Sequence, residues 1–155
     1  MSLEKVIIGV DFGEKNIRVA LARKIRGWVE YDLVQCYDSY EMPSMVGFYD
    51  DGEIMIGHRA KSYQHMYPER VIYGLMNLIG HKRGDKELEE FINKAPFVID
   101  FTEDDDPIVK IPATKYDEER TYRPEYIAAL VFGEVIQIIK GITGKRPDYC
   151  VIAVP

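Results

Sequence analysis

A long helical stretch and the apolar strand that follows it do most to limit the folds open to this chain. Residues Pro124 to Thr143 carry proline in the first turn and have Gly144 just past the end, the start and stop signals of a helix. Ile127, Val131, Val135, Ile138 and Ile142 form one apolar stripe, and Ala129, Phe132, Ile136 and Ile139 widen it round a second side. So wide a face requires cover on more than one side. Residues 149–154 then read as a strand with apolar side chains on both faces, which fits the interior of a sheet. An α/β architecture follows from the pair.

With 155 residues the chain has the length of one ordinary domain and can bury a real core. No apolar run in it approaches the roughly 20 residues that span a bilayer. The formal charge is −6 with the basic residues scattered, which argues against nucleic acid as a partner. Cys36 and Cys150 lie far apart, fit no metal spacing and come without a secretory signal, so two free thiols in a cytoplasmic setting are expected. Met1-Ser2-Leu3 reads either as a native start or as a cloning remnant. CVIAVP breaks off as a strand finishes, and the chain is read as a piece of something longer.

Before the long helix, residues 6–11, 17–23 and 27–34 read as three consecutive antiparallel strands, with Arg26-Gly27 as the second turn. Asp51-Gly52 signals a hairpin between residues 45–49 and 53–56, where a second small sheet begins. Helices are expected over residues 58–64, 69–79 and 86–93, the second opened by Pro68 and closed by Gly80. Residues 97–101, 108–111 and 114–116 read as strands, separated by the acidic turn TEDDDP and by Pro112. Asp104-Asp105-Asp106 reads as a solvated loop tip, His81-Lys82-Arg83 as an exposed basic turn, and Trp28 as a packing residue. His58 and His65, seven residues apart with no third ligand nearby, do not read as a metal site.

The chemistry-bearing stretch is VIIGVDFGEKNIRVALAR, residues 6–23. A hairpin whose turn holds Asp-x-Gly suits phosphate, because glycine lets backbone N–H groups approach and an aspartate can hold magnesium through water. Alone, such a turn also occurs for conformational reasons.

Its context resembles the first phosphate loop of the actin, hexokinase and seventy-kilodalton heat-shock chaperone superfamily. MPSMVGFYDDGEIMIGHRAK resembles the heat-shock pattern of a Pro-Ser strand, an acidic turn and an Ile-Gly-x-x-Ala-Lys helix start. Pro68, the stretch Asn77-Leu78-Ile79-Gly80, the Tyr-x-Pro-Glu start at Tyr122 and the terminal VIAVP fall where that family has counterparts. The chain thus resembles the N-terminal lobe of a heat-shock chaperone ATPase domain.

The resemblance implies an RNase H-like subdomain over residues 1–38 and 115–155, with an α+β subdomain inserted at residues 39–114. It implies phosphate binding by Asp11, Gly13, Glu14, Lys15 and Asn16, with Asp11 reaching Mg2+ through water and ATP or ADP as the nucleotide of the full-length parent. It further implies that the parent couples nucleotide state to unfolded polypeptides and works with J-domain co-chaperones and nucleotide-exchange factors.

Two departures from the family pattern bear on activity. The family's loop reads Asp-x-Gly-Thr-Thr, whereas Asp11-Phe12-Gly13 is followed here by Glu14 and Lys15. In an extended segment these two face opposite ways, so only one addresses the phosphates. The family also places a catalytic lysine before the Leu-Ile-Gly stretch, and Met76 stands there. Methionine neither donates a hydrogen bond nor carries charge, so hydrolysis is expected to be impaired. The isolated chain lacks the opposite wall of a nucleotide cleft, so tight nucleotide binding by it is not expected, and self-association is.

Two other functions fit parts of the pattern. A stand-alone nuclease of the Holliday-junction-resolvase type also opens with an acidic DxG turn, but it needs further carboxylates that residues 151–155 do not offer. A non-catalytic co-chaperone or binding module would need neither the threonines nor the lysine.

Overall fold

A computed structural model describes residues 5–25 and 27–155. Met1-Ser2-Leu3 and Arg26, half of the expected Arg26-Gly27 turn, lie outside the described residues.

β1 (Ile7–Phe12), β2 (Asn16–Ile25) and β3 (Trp28–Leu33) form the antiparallel meander that their β-branched runs imply. Alternation sorts β1 and β2 into two faces. Ile8, Val10 and Phe12 join Ile17, Val19 and Leu21 in the core, while Asp11 and Arg18 face away from it. β4 (Met42–Pro43) adds to the start of β2, beside the β1–β2 turn, and β5 (Val46–Phe48) and β6 (Ile54–Ile56) make the Asp51-Gly52 hairpin. α1 (His58–Gln64) follows with its expected bounds.

The helix expected over 69–79 does not form. Its place is taken by a 3-10 turn at Pro68–Arg70, the two-residue strand β7 (Val71–Ile72) pairing with β5, and a second 3-10 turn at Leu75–Asn77. The β-branched pair Val71-Ile72 prefers the ladder, and Gly74 at φ 65° turns the chain by a left-handed step that a helix cannot hold.

α2 (Lys86–Ile92) leads to a second three-stranded sheet of β8 (Val98–Phe101), β9 (Pro107–Ile111) and β10 (Arg120–Tyr122). The strand expected at 114–116 is a turn instead. Thr114 Oγ1 accepts from the backbone N–H groups of Tyr116 and Asp117, and the Thr114 N–H donates to the Asp117 carbonyl, so the threonine satisfies a loop and the strand forms later, at β10.

α3 (Pro124–Thr143) keeps its expected bounds and ends on Gly144 at φ 78°. Its deeply buried line is Ile127, Val131, Val135 and Ile139, whereas Ile142 is half exposed and Ala129 exposed, so the packed face is narrower than the apolar surface the sequence offers. Against the expectation that no apolar stretch approaches a bilayer span, α3 matches one in length and apolarity, but Phe132 packs against Phe12 with ring centroids 4.9 Å apart, and the buried line of α3 belongs to one core with β1 and β2.

β11 (Tyr149–Ala153) returns parallel to β1, in register from Ile7↔Tyr149 to Asp11↔Ala153. The sheet order is β11-β1-β2-β3, so β11 is an edge strand with every residue exposed and does not occupy the expected interior position. Trp28 is 79% exposed and so is no packing residue of the described structure. Both cysteines are free, Cys36 buried and Cys150 exposed.

The basic and acidic loops turn out to be partners. Lys82 pairs with Asp106 at 2.7 Å, Arg83 with Asp105 at 2.9 Å and Arg123 with Asp106 at 3.8 Å, so the acidic turn is tied to its surroundings. These contacts are half-exposed and add little stability singly.

Candidate functional site

The turn between β1 and β2 is tight. The Gly13 N–H donates to the Asn16 carbonyl at 3.2 Å, and a Cβ on Gly13 would stand 2.7 Å from that same oxygen. Only glycine lets the chain close here without a shift. The other side of the turn is anchored by the Ser44 N–H, which donates to the Lys15 carbonyl at 2.9 Å, and by pairing of Asn16 with Pro43 in β4.

Hairpin register sets Asp11 directly opposite Arg18. The guanidinium Nη1 lies 3.5 Å from Asp11 Oδ2, with both side chains about half exposed. Glu41, just before β4, holds the same guanidinium by two prongs. Nε donates to its Oε1 at 2.9 Å, and Nη2 donates to the same oxygen over a shorter contact. Glu41 Oε2 accepts from the Asn16 side-chain amide at 3.1 Å, and the Glu41 carbonyl meets His58 Nε2 at 3.0 Å. These contacts raise the Arg18 pKa above its ordinary value, Glu41 being the main cause and Asp11 a lesser one. Arg18 is a permanent cation beside Asp11.

Glu14 reaches a second element. Asn77 Nδ2 donates to its Oε1 at 3.3 Å and to the Gly74 carbonyl at the same distance. The 3-10 turn Leu75–Asn77 is thereby linked to the phosphate-like turn, and Met76, half-buried, leans on the core between Leu75 and Asn77. Glu14 and Lys15 are both exposed, and it is the glutamate that meets this second element.

Asp11, Gly13, Glu14 and Asn16 thus belong to one cluster with the segment that holds Met76. Sequence reasoning did not name three further members, Arg18, Glu41 and Asn77. Arg18 could have been found, because a turn closed between Gly13 and Asn16 fixes the cross-strand partner of Asp11. Glu41 and Asn77 arrive through non-local packing and leave no local signal.

Beside the cluster, on the sheet face away from α3, lies a shallow depression of about 340 Å³. Gly9, Ala20, Leu33 and Val151 are among its lining residues, together with Asp11 and Arg18.

The side chains around Asp11 do not form a direct metal site. Among the described residues no three His, Cys, Asp or Glu side chains are grouped to hold a metal, and the Asp11 carboxylate already faces the Arg18 guanidinium. A divalent ion brought there through water would meet a fixed positive charge.

A family model described as Hsp70 protein matches residues 7–155. Heat shock protein SSC3, mitochondrial, of Saccharomyces cerevisiae is 28% identical to the chain over 149 residues, which make up 96% of this chain and 22% of that relative. The chain therefore spans about a fifth of that relative's length. With a family match running from the first residue of β1 to residue 155, the chain belongs to the Hsp70 family.

Proposed function

We propose that this chain is the N-terminal part of the nucleotide-binding domain of an Hsp70-like chaperone, and that its turn at residues 13–16 addresses the phosphates of ATP or ADP while hydrolysis is impaired. On this reading residues 1–38 and 115–155 form the RNase H-like subdomain and residues 39–114 the inserted one. The parent couples nucleotide state to unfolded polypeptides, with J-domain co-chaperones and nucleotide-exchange factors as its partners.

The observation that carries the reading is the Glu14–Asn77 contact, which joins the Asp11–Gly13 turn to the segment holding Met76. At the position where the family resemblance calls for a lysine, a thioether offers neither charge nor a hydrogen-bond donor. Phosphoryl transfer depends on both. The nuclease alternative is weakened by the surroundings of Asp11, whose cross-strand neighbours are Arg18 and Ala153 and not further carboxylates. The mitochondrial address in the relative's name belongs to that protein.

Calorimetric titration of the full-length protein with ATP and ADP tests the binding half, and absence of heat with both would end it. Single-turnover hydrolysis tests the rest. Slow turnover, unchanged within about twofold by Met76→Ala, is expected for a side chain without a catalytic part. Brisk turnover by the unaltered protein would overturn the impaired-hydrolysis reading.

A further inference from the structure

We propose that Arg18 is the resident cation of the Asp11 turn: pinned by Glu41, its guanidinium holds the position at Asp11 that a hydrated divalent ion would need, and the turn meets phosphate oxygens without a metal at Asp11. The second half of this statement rests on the nucleotide reading above; the first does not.

The geometry is specific. Arg18 lies across from Asp11 in the β1–β2 ladder, so backbone pairing and not side-chain chance brings the two together. Glu41 fixes the guanidinium plane through two nitrogens, and Asn16, inside the turn, is tied to the other oxygen of the same carboxylate. The guanidinium is therefore oriented by a group belonging to neither strand of the hairpin, which lowers the ordering cost of any further contact it makes. It carries more N–H donors than its contacts to Asp11 and Glu41 use, in the planar arrangement that suits phosphate oxygens.

The charge balance is also distinctive. Asp11 and Glu41 flank one arginine, so the cluster carries a net negative charge, yet the cation at its centre is covalently part of the chain. A divalent ion entering at Asp11 would have to displace or oppose that cation. Asp11 is thus a positioning residue for Arg18 and not a metal ligand.

The test uses 15N-labelled protein and Mn2+ as a paramagnetic probe, read as selective broadening of the Phe12 and Gly13 amides. The unaltered protein is expected to show none at millimolar Mn2+. Arg18→Gln is expected to broaden at a concentration roughly tenfold lower or more, and Arg18→Gln combined with Asp11→Asn to lose that response. Equal broadening in the unaltered protein and Arg18→Gln would overturn the proposal, as would none in either. In a second arm, ATP affinity of the full-length protein is measured in EDTA and in excess Mg2+. Affinities within about twofold of each other are expected, and a gain of roughly tenfold or more with Mg2+ would overturn the metal-free contact. If ATP binds in neither buffer, the nucleotide reading and with it the phosphate contact fail, while the Mn2+ arm still decides whether Arg18 guards Asp11.

Discussion

Asn77 donates its side-chain amide to Glu14 across 3.3 Å, binding the turn after β1 to the segment on which Met76 sits. The contact directs a carboxylate toward the ground between two elements that the family reading assigns to phosphate. Replacing Glu14 by threonine is expected to raise the nucleotide affinity of the full-length protein about fivefold, since a carboxylate ~4 Å from a phosphate costs about 1 kcal/mol in water. Titration calorimetry reads this directly; an unchanged affinity in Glu14→Thr would mean that the carboxylate points away from the ligand, and a loss would mean that Glu14 supports binding.

Glycine substitutions at two positions should move stability in opposite directions. Gly74 sits at φ 65°, and a Cβ there would stand 2.6 Å from the Phe91 ring, so Gly74→Ala is expected to destabilise by about 2 kcal/mol. Gly133 is exposed within α3, and a Cβ there would meet nothing within 4 Å, so Gly133→Ala should stabilise by about 0.5–1 kcal/mol. Urea unfolding of both variants in one buffer checks the signs.

Arg70 is 3% exposed and spends its guanidinium on backbone carbonyls, those of Phe48 at 2.8 Å, Pro112 at 2.7 Å and Tyr49 at 3.2 Å. It staples the β5–β6 hairpin to the end of β9. Arg70→Leu leaves buried carbonyls without donors and is expected to cost about 3 kcal/mol or more in chemical denaturation. Arg70→Lys should recover only part of that loss, because a single ammonium cannot reproduce the guanidinium fork.

Acid should loosen the β1–β11 edge. Asp148 accepts from the Val6 N–H at 2.7 Å and from Lys145 at 3.0 Å, and the backbone donor, followed by the lysine, lowers its pKa below the ordinary value of 3.8. A carboxylate with a lowered folded-state pKa contributes stability that is present above its unfolded pKa and is lost as pH falls through the folded one. Asp148→Asn is therefore expected to flatten the decline in stability below about pH 4. Unfolding curves over an acid series would show it, and an unchanged decline would exclude Asp148 as a contributor.

Elements whose signals are local could be read from the chain alone. The meander, the Asp51-Gly52 hairpin, α1, α2 and α3 need only β-branched runs, turn residues and proline or glycine at helix ends. The stretch 69–79 could not be read this way, because its helix-like stop signals competed with Val71-Ile72, and the open edge of β5 decided for a strand. The turn at Thr114 is hidden from the sequence for a similar reason. The threonine's β-propensity is visible in the sequence, while the two N–H groups that its hydroxyl accepts are visible only once the chain has turned.

By itself the sequence determined that the chain has an Asp-x-Gly turn between two strands, a methionine where the family resemblance calls for a lysine, and a helix too broadly apolar to stand alone. Tertiary structure alone decided what the turn's acids face. Asp11 is held by Arg18 through strand register, Arg18 by Glu41 through the placement of β4, and Glu14 by Asn77 through the fold of an intervening segment of about sixty residues. Side-chain identity is written residue by residue, but an ion pair or hydrogen bond depends on distance, and distance between residues remote in the chain is set by packing.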